Sequence, residues 1–255
     1  MIPATREFVR QRFQDYYETH QVEIPVQIQQ REFGFLYPTT TGKPFKRRHA
    51  AFACEEDLRR HLIDRVPLHA YYAVPYYTDP GNPLMKEKGW TGADLIFDLD
   101  GDYLPAEMPF EEKLWHVKEE ARQLLALLFD TFAVPKRDIK IVFSGGRGYH
   151  IHVFSEKYRQ WTQKERREIC DYVVAQGIHI DAPVTYDTAR LIRLPGSIHG
   201  GTGFKVMSIP LENFDRFNGS VDAIAMSDRE VKTTIGTLPE HTALFEILGK
   251  RAEIA

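Results

Sequence analysis

Apolar and polar residues alternate most regularly between Asp94 and Asp100. Residues 95, 97 and 99 are apolar, whereas three of the four even-numbered positions from 94 to 100 are aspartates. This period of two predicts a strand with one buried face and one face that carries carboxylates. Apolar residues at helical spacing then predict a long helix from Phe110 to Phe132, and Ile139–Phe143 is expected to be a strand that follows Pro135.

The same patterns predict further elements along the chain. They are a helix from Arg6 to about Glu18 capped by Thr5, an extended stretch at 22–35, a turn at 38–42, a short helix after Cys54, strands at His69–Tyr77 and Tyr149–Phe154, a helix from the capping box Thr162–Glu165 to about Gln176, and strands at Leu191–Leu194 and Phe204–Ile209. Helices and strands alternate without a linker, repeat or low-complexity segment. We therefore expect one α/β (α+β) unit over residues 1–255.

Composition narrows the class of protein. The 255 residues are 43% hydrophobic and 27% charged, which is typical of a globular protein, and the net charge of -3 argues against coating nucleic acid by bulk electrostatics. A local basic cleft remains compatible with this charge, and Lys46–Arg48 is a basic cluster. Only Cys54 and Cys170 are present, which excludes a disulfide framework and a four-cysteine zinc module and favours a cytoplasmic protein. We expect neither a signal peptide nor a transmembrane helix.

Asp98 and Asp100 are two positions apart on the predicted strand, so their carboxylates share one face. Clustered carboxylates repel one another unless a cation neutralises them, and oxygen ligands favour Mg²⁺ or Mn²⁺ over zinc. The alternative is a strand end that turns into solvent, where aspartates are common. The pair alone does not decide between these interpretations.

A glycine-rich turn, Ser144-Gly-Gly-Arg147-Gly, precedes Tyr149 and His150. Its glycines allow the backbone to approach an anion closely, and Ser144 and Arg147 add donors, as expected for a phosphate-binding turn. It matches neither a Walker motif nor a dinucleotide-binding motif. An ordinary glycine hairpin is the alternative. His152 shares a face with His150, but two histidines alone do not make a metal site.

Arginines alternate with apolar residues from Arg190 to Leu194, which places Arg193 on the polar face of a strand. Arginine binds phosphate through two parallel hydrogen bonds, so Arg193, His199 and the loop from Gly196 to Gly203 would suit a polyphosphate. A surface strand with solvated arginines is the alternative. Together, the three sites combine metal-binding carboxylates with two phosphate-binding elements.

At these residues the chain resembles the catalytic small subunit of archaeal and eukaryotic DNA primase, within the archaeo-eukaryotic primase (prim-pol) superfamily. The matching segments lie in the family's order over about residues 30–210, with the archaeal branch fitting best; they are residues 31–35, 92–100, 144–150 and 181–203. The resemblance implies a prim-pol fold, in which a mixed sheet similar to that of RNA-recognition domains is extended by N-terminal α/β elements.

The resemblance also implies roles for individual residues. Asp98, Asp100 and Asp181 correspond to the family's metal-binding catalytic aspartates, which hold two Mg²⁺ or Mn²⁺ ions. The other matched residues correspond to family positions that contact the nucleotide; they are Ser144, Arg147 and His150 in the glycine turn, Arg193 and His199 at the triphosphate, and Arg48. Of the other acidic residues near Asp181, Asp171 is expected to be a surface charge and Asp187 to cap a turn.

The chain also departs from the family pattern. Gly146 stands where relatives often carry a basic residue, Gly201 stands where a lysine is frequent, and residues 101–143 contain no cysteine where archaeal relatives usually carry a zinc-binding knob. We therefore expect no structural zinc. The implied activity is template-directed synthesis of RNA or DNA primers on single-stranded DNA from NTPs or dNTPs, with a large regulatory subunit as partner. The alternatives are a stand-alone prim-pol or repair polymerase and a non-catalytic nucleic-acid-binding module.

Overall fold

The computed structural model describes residues 2–39 and 43–255, so Thr40–Gly42 of the predicted turn lie outside the described residues. The helices are α1 (Pro3–Thr19), α2 (Glu55–Arg65), α3 (Phe110–Asp130), α4 (Glu156–Arg159), α5 (Gln163–Ala175), α6 (Ala182–Tyr186), α7 (Gly219–Asp222) and α8 (Glu240–Leu248). The strands are β1 (Phe33–Tyr37), β2 (Phe45–Ala50), β3 (His69–Ala73), β4 (Pro75–Tyr77), β5 (Trp90–Ala93), β6 (Leu95–Asp100), β7 (Ile139–Phe143), β8 (Gly148–Val153), β9 (Leu191–Arg193), β10 (Met207–Ile209), β11 (Glu230–Thr233) and β12 (Gly236–Pro239).

One four-stranded sheet, in the order β10-β7-β8-β6, carries the predicted aspartates and the glycine turn. The predicted α+β class is confirmed, but each neighbouring strand pair in this sheet is antiparallel, so the expectation of a mixed sheet is wrong in this respect. The reason lies in the hairpin that follows α3. The helix joins β6 to β7, which run in the same direction, but β8 folds back and inserts between them.

Helix α3 covers one face of this sheet. Its buried stripe includes Leu114, Val117, Ala121, Leu124 and Leu128, and these side chains pack on the apolar residues at 95, 97 and 99 of β6. Acidic residues in the first turn favour the N-terminus because they complement the helix dipole. The helix ends two residues before the predicted Phe132.

A second four-stranded sheet, in the order β2-β1-β3-β9, is also antiparallel and packs with α1 and α2 in another apolar cluster. Helix α1 begins at Pro3, so the predicted cap Thr5 lies inside it; the Thr5 hydroxyl is fully buried and accepts from the Ile254 N–H at 3.0 Å. The Tyr16 hydroxyl donates to the Gly196 carbonyl at 2.9 Å. Helix α1 therefore supports the base of the loop that carries His199.

Strand β6 is shared between the two cores. Leu95, Phe97 and Leu99 belong to the cluster under α3, whereas Ile96, on the opposite face, is fully buried in the cluster of the second sheet. The predicted polar face is therefore covered over its first half. Only its C-terminal half, with Asp98 and Asp100, keeps partial exposure, and we call the surface that it forms with the glycine turn and the His199 loop the cleft.

A buried ion pair joins the two sheets. Arg31 is fully buried, donates to Asp94 Oδ2 at 2.6 Å and to the Val74 carbonyl at 2.6 Å, and lies over the Tyr76 ring. Arg166 of α5 donates to the Asp94 carbonyl at 2.8 Å from the other side. Asp94 is therefore a structural residue, in contrast to the two aspartates that follow it on β6.

The C-terminal elements β11, β12 and α8 had no counterpart in the predicted pattern. Helix α8 packs Leu244 into the core of the second sheet, and a Cβ atom built on Gly203 would lie 2.8 Å from its side chain. Phe245 packs against Phe204, with ring centroids 5.6 Å apart. The C-terminal segment thereby supports the far end of the His199 loop.

Neither cysteine forms a disulfide: Cys54 is exposed and Cys170 is buried. Among residues 2–39 and 43–255, no helix combines the length and the apolar character needed to cross a bilayer.

Candidate active site

Asp98 and Asp100 project from the last residues of β6 into the cleft. In the register with β8, Asp98 is opposite His150 and Asp100 is opposite Gly148. A Cβ atom on Gly148 would lie 2.0 Å from the Leu99 carbonyl oxygen, so only glycine allows the two strands to approach this closely. The side chains of Asp98 and Asp100 keep 20% and 37% of their exposure.

Asp181 lies beside this pair. Its backbone N–H donates to the Asp98 carbonyl at 2.8 Å, and helix α6 starts at the next residue. The Thr185 hydroxyl of α6 donates to the Ile96 carbonyl at 2.7 Å and fixes the helix on β6. The fold thus brings Asp181 next to Asp98, although 83 residues separate them in the sequence.

The acidic cluster is electrostatically strained. Burial, followed by the charges of Asp100 and Asp181, raises the pKa of Asp98 to about 7, while Arg193 acts in the opposite direction. Burial and the neighbouring Asp102 also raise the pKa of Asp100. In addition, Asp100 Oδ1 is buried without a hydrogen-bond partner. Carboxylate oxygens that repel one another and lack a donor fit a hard divalent cation.

The three carboxylates do not surround a single metal-binding position in this structure. Among the described residues, no three histidine, cysteine, aspartate or glutamate side chains stand together at ligand distance from a single position. Asp181 nevertheless lies close enough to Asp98 for its charge to contribute to the raised pKa of Asp98. The residues present therefore fit a magnesium-type site in donor chemistry and charge.

The raised pKa of Asp98 predicts a pH-dependent stability for the metal-free protein. Between about pH 4 and pH 7 the folded state binds more protons at Asp98 than the unfolded state does, so this group lowers the stability as the pH rises. The upper limit is about 4 kcal/mol at neutral pH. In EDTA, the Tm of Asp98→Asn minus the Tm of wild type should increase as the pH is raised from 4.5 to 7.5. A difference in Tm that does not change with pH would contradict this prediction.

The glycine turn and the His199 loop meet at the mouth of the cleft. Gly145 has a φ of +73°, and a Cβ atom there would lie 2.7 Å from His199 Cβ, so its conformation and its contact both require glycine. The Thr202 hydroxyl donates to the Gly145 carbonyl at 2.5 Å, and Ser144 Oγ accepts from the Gly146 N–H at 3.2 Å. The two predicted phosphate-binding elements are therefore one surface.

The surroundings of His199 favour the neutral form of its ring. Burial, followed by the charges of Arg193 and His69, lowers its pKa well below the usual range. Its Nδ1 accepts from the Gly201 N–H at 3.2 Å, a contact that assigns the proton to Nε2, and Thr202 Oγ lies 3.1 Å from the same Nδ1. Nε2 is 3.1 Å from the position a Cβ on Gly146 would take, so it points at the glycine turn. The imidazole therefore offers one N–H donor at the mouth of the cleft.

Two arginines add positive charge around the carboxylates. Arg147 pairs with Asp102, and its Nε is 3.8 Å from Asp100 Oδ1. The charge of Arg193 partly offsets the rise in the pKa values of Asp98 and Asp100. Its charge also lowers those of the two site histidines at 150 and 199. The charge of Arg193 thus acts both on the carboxylates and on the two histidines of the site.

Two predicted nucleotide contacts have other partners in the structure. His150 is 2% exposed, with Nε2 3.6 Å from Asp98 Oδ1, and burial together with Arg193 lowers its pKa to about 3. Arg48 Nε donates to the fully buried Glu32 at 2.7 Å, and Nη2 donates to the Ala189 carbonyl at 3.2 Å. His150 therefore faces Asp98, and the described contacts of Arg48 do not include the glycine turn.

The other acidic residues near Asp181 are placed as predicted. Asp171 is exposed on α5, and Asp187 Oδ1 accepts from the Ala189 N–H at 3.0 Å, as a turn cap does. Neither residue donates a backbone hydrogen bond to β6, as Asp181 does.

Several residues that border the site were not predicted from the sequence. Asp102 continues the alternation of the aspartate pair and holds Arg147. Tyr103 stacks on His179 with ring centroids 4.1 Å apart, and His179 Nδ1 lies 2.5 Å from Glu120 Oε1, which ties the segment before Asp181 to α3. His69 contacts Arg193, 124 residues later in the chain, and no local pattern connects the two.

The sequence is similar to that of known proteins. A family model described as DNA primase small subunit matches residues 97–179, which include the last four residues of β6, helix α3 and the glycine turn. The DNA primase small subunit PriS of Archaeoglobus fulgidus is 33% identical over 95% of this chain and 97% of its own length. That of Methanoregula boonei is 31% identical over the whole of both chains, and that of Methanocella arvoryzae is 40% identical over 95% of this chain and 60% of its own.

A solved structure shares the fold. The polymerase domain of Mycobacterium tuberculosis Ligase D, in complex with DNA, superposes with a TM-score of 0.54 over 96% of this chain and 88% of its own, at 12% identity.

The alignment with the Archaeoglobus protein spans 328 residues, more than the 255 of this chain, so that relative carries segments without a counterpart here.

Proposed function

Because the chain belongs to the DNA primase small subunit family, we propose that it is a catalytic primase subunit, a nucleotidyltransferase that makes short RNA or DNA primers on a single-stranded DNA template. The observation that carries this proposal is the meeting of three elements in one cleft. The aspartates of β6, the glycine turn and the His199 loop come together there, and metal-binding carboxylates beside a phosphate-binding surface are what nucleotidyl transfer requires.

We propose that Asp98, Asp100 and Asp181 hold divalent ions, either Mg²⁺ or Mn²⁺. Such ions, when bound, supply Lewis acidity that favours attack by a 3′-hydroxyl and neutralise charge on the α-phosphate and pyrophosphate. The chain contributes carboxylates whose backbones β6 and α6 already hold beside one another, so only the side chains would turn toward a bound ion.

The triphosphate would lie beside the carboxylates, against the glycine turn and the His199 loop. Arg193 and Arg147 supply charge-assisted hydrogen bonds, the His199 Nε2–H supplies a neutral one, and Ser144 stabilises the turn from which backbone N–H groups point. His150, facing Asp98, would act between the carboxylates and the phosphates. Arg48 remains a proposed nucleotide contact, which would require it to leave or share Glu32.

The wider biological role is also part of the proposal. The name small subunit in the relatives supports a large regulatory subunit as partner, in a cytoplasmic replication complex. Residues 1–255 would act as one catalytic domain. A stand-alone prim-pol or repair polymerase would use the same site without that partner. A non-catalytic binding module is disfavoured, because clustered carboxylates repel the phosphates of a bound strand.

The proposal is tested by incorporation of labelled nucleotides on single-stranded DNA, with and without an annealed primer. Synthesis by this chain alone without a primer supports a primase. Extension only of an existing primer would favour the repair polymerase, and binding of DNA without any synthesis would favour the non-catalytic module.

Arg193→Ala should weaken nucleotide binding about tenfold or more, because a charge-assisted contact contributes about 1.5–3 kcal/mol. His199→Ala should act in the same direction with a smaller effect, since its donor is neutral. Affinity for single-stranded DNA should change little. The matched control is Arg190→Ala, on the same segment, where the guanidinium is exposed and pairs with Asp187. Loss of DNA binding with unchanged nucleotide affinity would refute this assignment of the triphosphate site.

A further inference from the structure

His69, at the start of β3, touches both triphosphate residues of the proposed site. Its Nδ1 lies 2.6 Å from Arg193 Nη1, and its ring packs edge-on against the ring of His199 with centroids 4.8 Å apart. The pairing of β3 with β9 places it there, since Tyr71 is opposite Arg193 in the register. His69 is therefore the one side chain among the described contacts that joins Arg193 to His199.

The donors around His69 fix its tautomer. The Gly200 N–H donates to His69 Nδ1 at 3.3 Å, and a backbone amide can only donate, so Nδ1 carries a lone pair and Nε2 carries the proton. Arg193, which can likewise only donate, uses the same lone pair. Burial, followed by the charge of Arg193, lowers the pKa of His69 to about 3, which is consistent with a neutral ring.

This arrangement constrains the Arg193 guanidinium. Nη1 is held by His69 and also donates to the Tyr71 hydroxyl at 3.3 Å, while the guanidinium carbon lies 5.3 Å from the centroid of the Tyr71 ring. No carboxylate pairs with Arg193 within the described residues, in contrast to Arg147, which is bound to Asp102. Neutral acceptors therefore orient Arg193 without neutralising its charge, and the guanidinium remains able to pair with a phosphate in the cleft.

We propose that His69 is the positioning residue that orients Arg193, and with it the Gly200 end of the His199 loop, for binding of the nucleotide triphosphate. The inference rests on the proposed function. A neutral acceptor suits this task better than a carboxylate would, because a negative partner would compete with the phosphates for Arg193. A protonated histidine would repel the guanidinium and could not accept from it.

The test compares His69→Asn with His69→Phe in primer synthesis with varied NTP concentration. Asparagine Oδ1 takes about the place of Nδ1 and keeps an acceptor, whereas phenylalanine keeps the ring and loses the acceptor. We expect His69→Phe to raise the KM for NTP about tenfold with kcat within about twofold of wild type. His69→Asn should stay within about threefold of the wild-type KM. The matched control is His61→Phe, which removes a half-buried histidine bonded to Tyr37.

A double-mutant cycle separates positioning from general stability. If His69 acts through Arg193, then His69→Phe should add nothing to the KM of Arg193→Ala. The inference would be overturned by additive effects, by equal losses in His69→Asn and His69→Phe, or by an unchanged KM in His69→Phe. In each of these cases, synthesis by the wild-type protein would leave the proposed function intact. Absence of synthesis by the wild-type protein would instead count against the proposed function, and binding of Mg²⁺-NTP to the same variants would then test His69 independently.

Discussion

Asp181→Asn is expected to reduce nucleotide incorporation by several orders of magnitude while the protein stays folded. The substitution keeps the shape of the side chain but removes one negative charge beside Asp98, so metal affinity and stabilisation of the transition state should fall together. The backbone bond from residue 181 to the Asp98 carbonyl does not involve the side chain and should persist. Incorporation on single-stranded DNA and a thermal unfolding curve measure the two properties.

The control for this variant is Asp187→Asn. Asp187 lies six residues further on, caps a turn and pairs with Arg190, so its loss should cost little activity. Near-normal synthesis by Asp181→Asn, or an equal loss in both variants, would show that Asp181 does not belong to the metal-binding set. An experimental structure with its carboxylate far from the Asp98–Asp100 pair would have the same consequence.

Removal of divalent ions should abolish activity completely and reversibly. EDTA should stop nucleotide incorporation, and an excess of Mg²⁺ or Mn²⁺ should restore it, because the Asp98 and Asp100 oxygens fit hard cations. The fold should survive the same treatment, since the two cysteines are isolated and cannot anchor a cysteine-rich zinc module.

Elemental analysis and circular dichroism complete this second test. The purified protein should contain no stoichiometric zinc, and its spectrum should not change in EDTA. One tightly held zinc ion per chain, unfolding on chelation, or full activity in EDTA would each contradict the account of the metal site.

The local parts of the site could be predicted from the sequence because they depend on local patterns. Alternation placed Asp98 and Asp100 on one face of β6, and the capping box placed the start of α5 correctly. The third aspartate came from family resemblance, not from any pattern, because its place beside Asp98 depends on how α5 and α6 pack on the sheet. Of the two bonds that fix it, one joins backbone atoms of Asp181 and Asp98, and the other joins the Thr185 hydroxyl to the Ile96 carbonyl. Neither bond follows from a local sequence pattern.

Other features depended on tertiary packing and could not be predicted. Alternation on β6 suggested a polar outer face, but the second sheet covers Ile96, and Arg31 neutralises Asp94. The family resemblance implied a mixed sheet, whereas the insertion of β8 between β6 and β7 makes every neighbouring pair in it antiparallel. The contact between His69 and Arg193 similarly exists only because β3 pairs with β9.

The central claim is that this cleft copies a DNA template without a primer, and homopolymer templates test it most directly. On unprimed oligo(dT), with Mg²⁺ or Mn²⁺, the wild-type protein should incorporate labelled ATP or dATP into short chains and should not incorporate the guanine nucleotides. On oligo(dC) the preference should reverse, and Asp98→Asn should give no product on either template. Incorporation that ignores the template, or none by folded wild-type protein with either metal, would contradict the account.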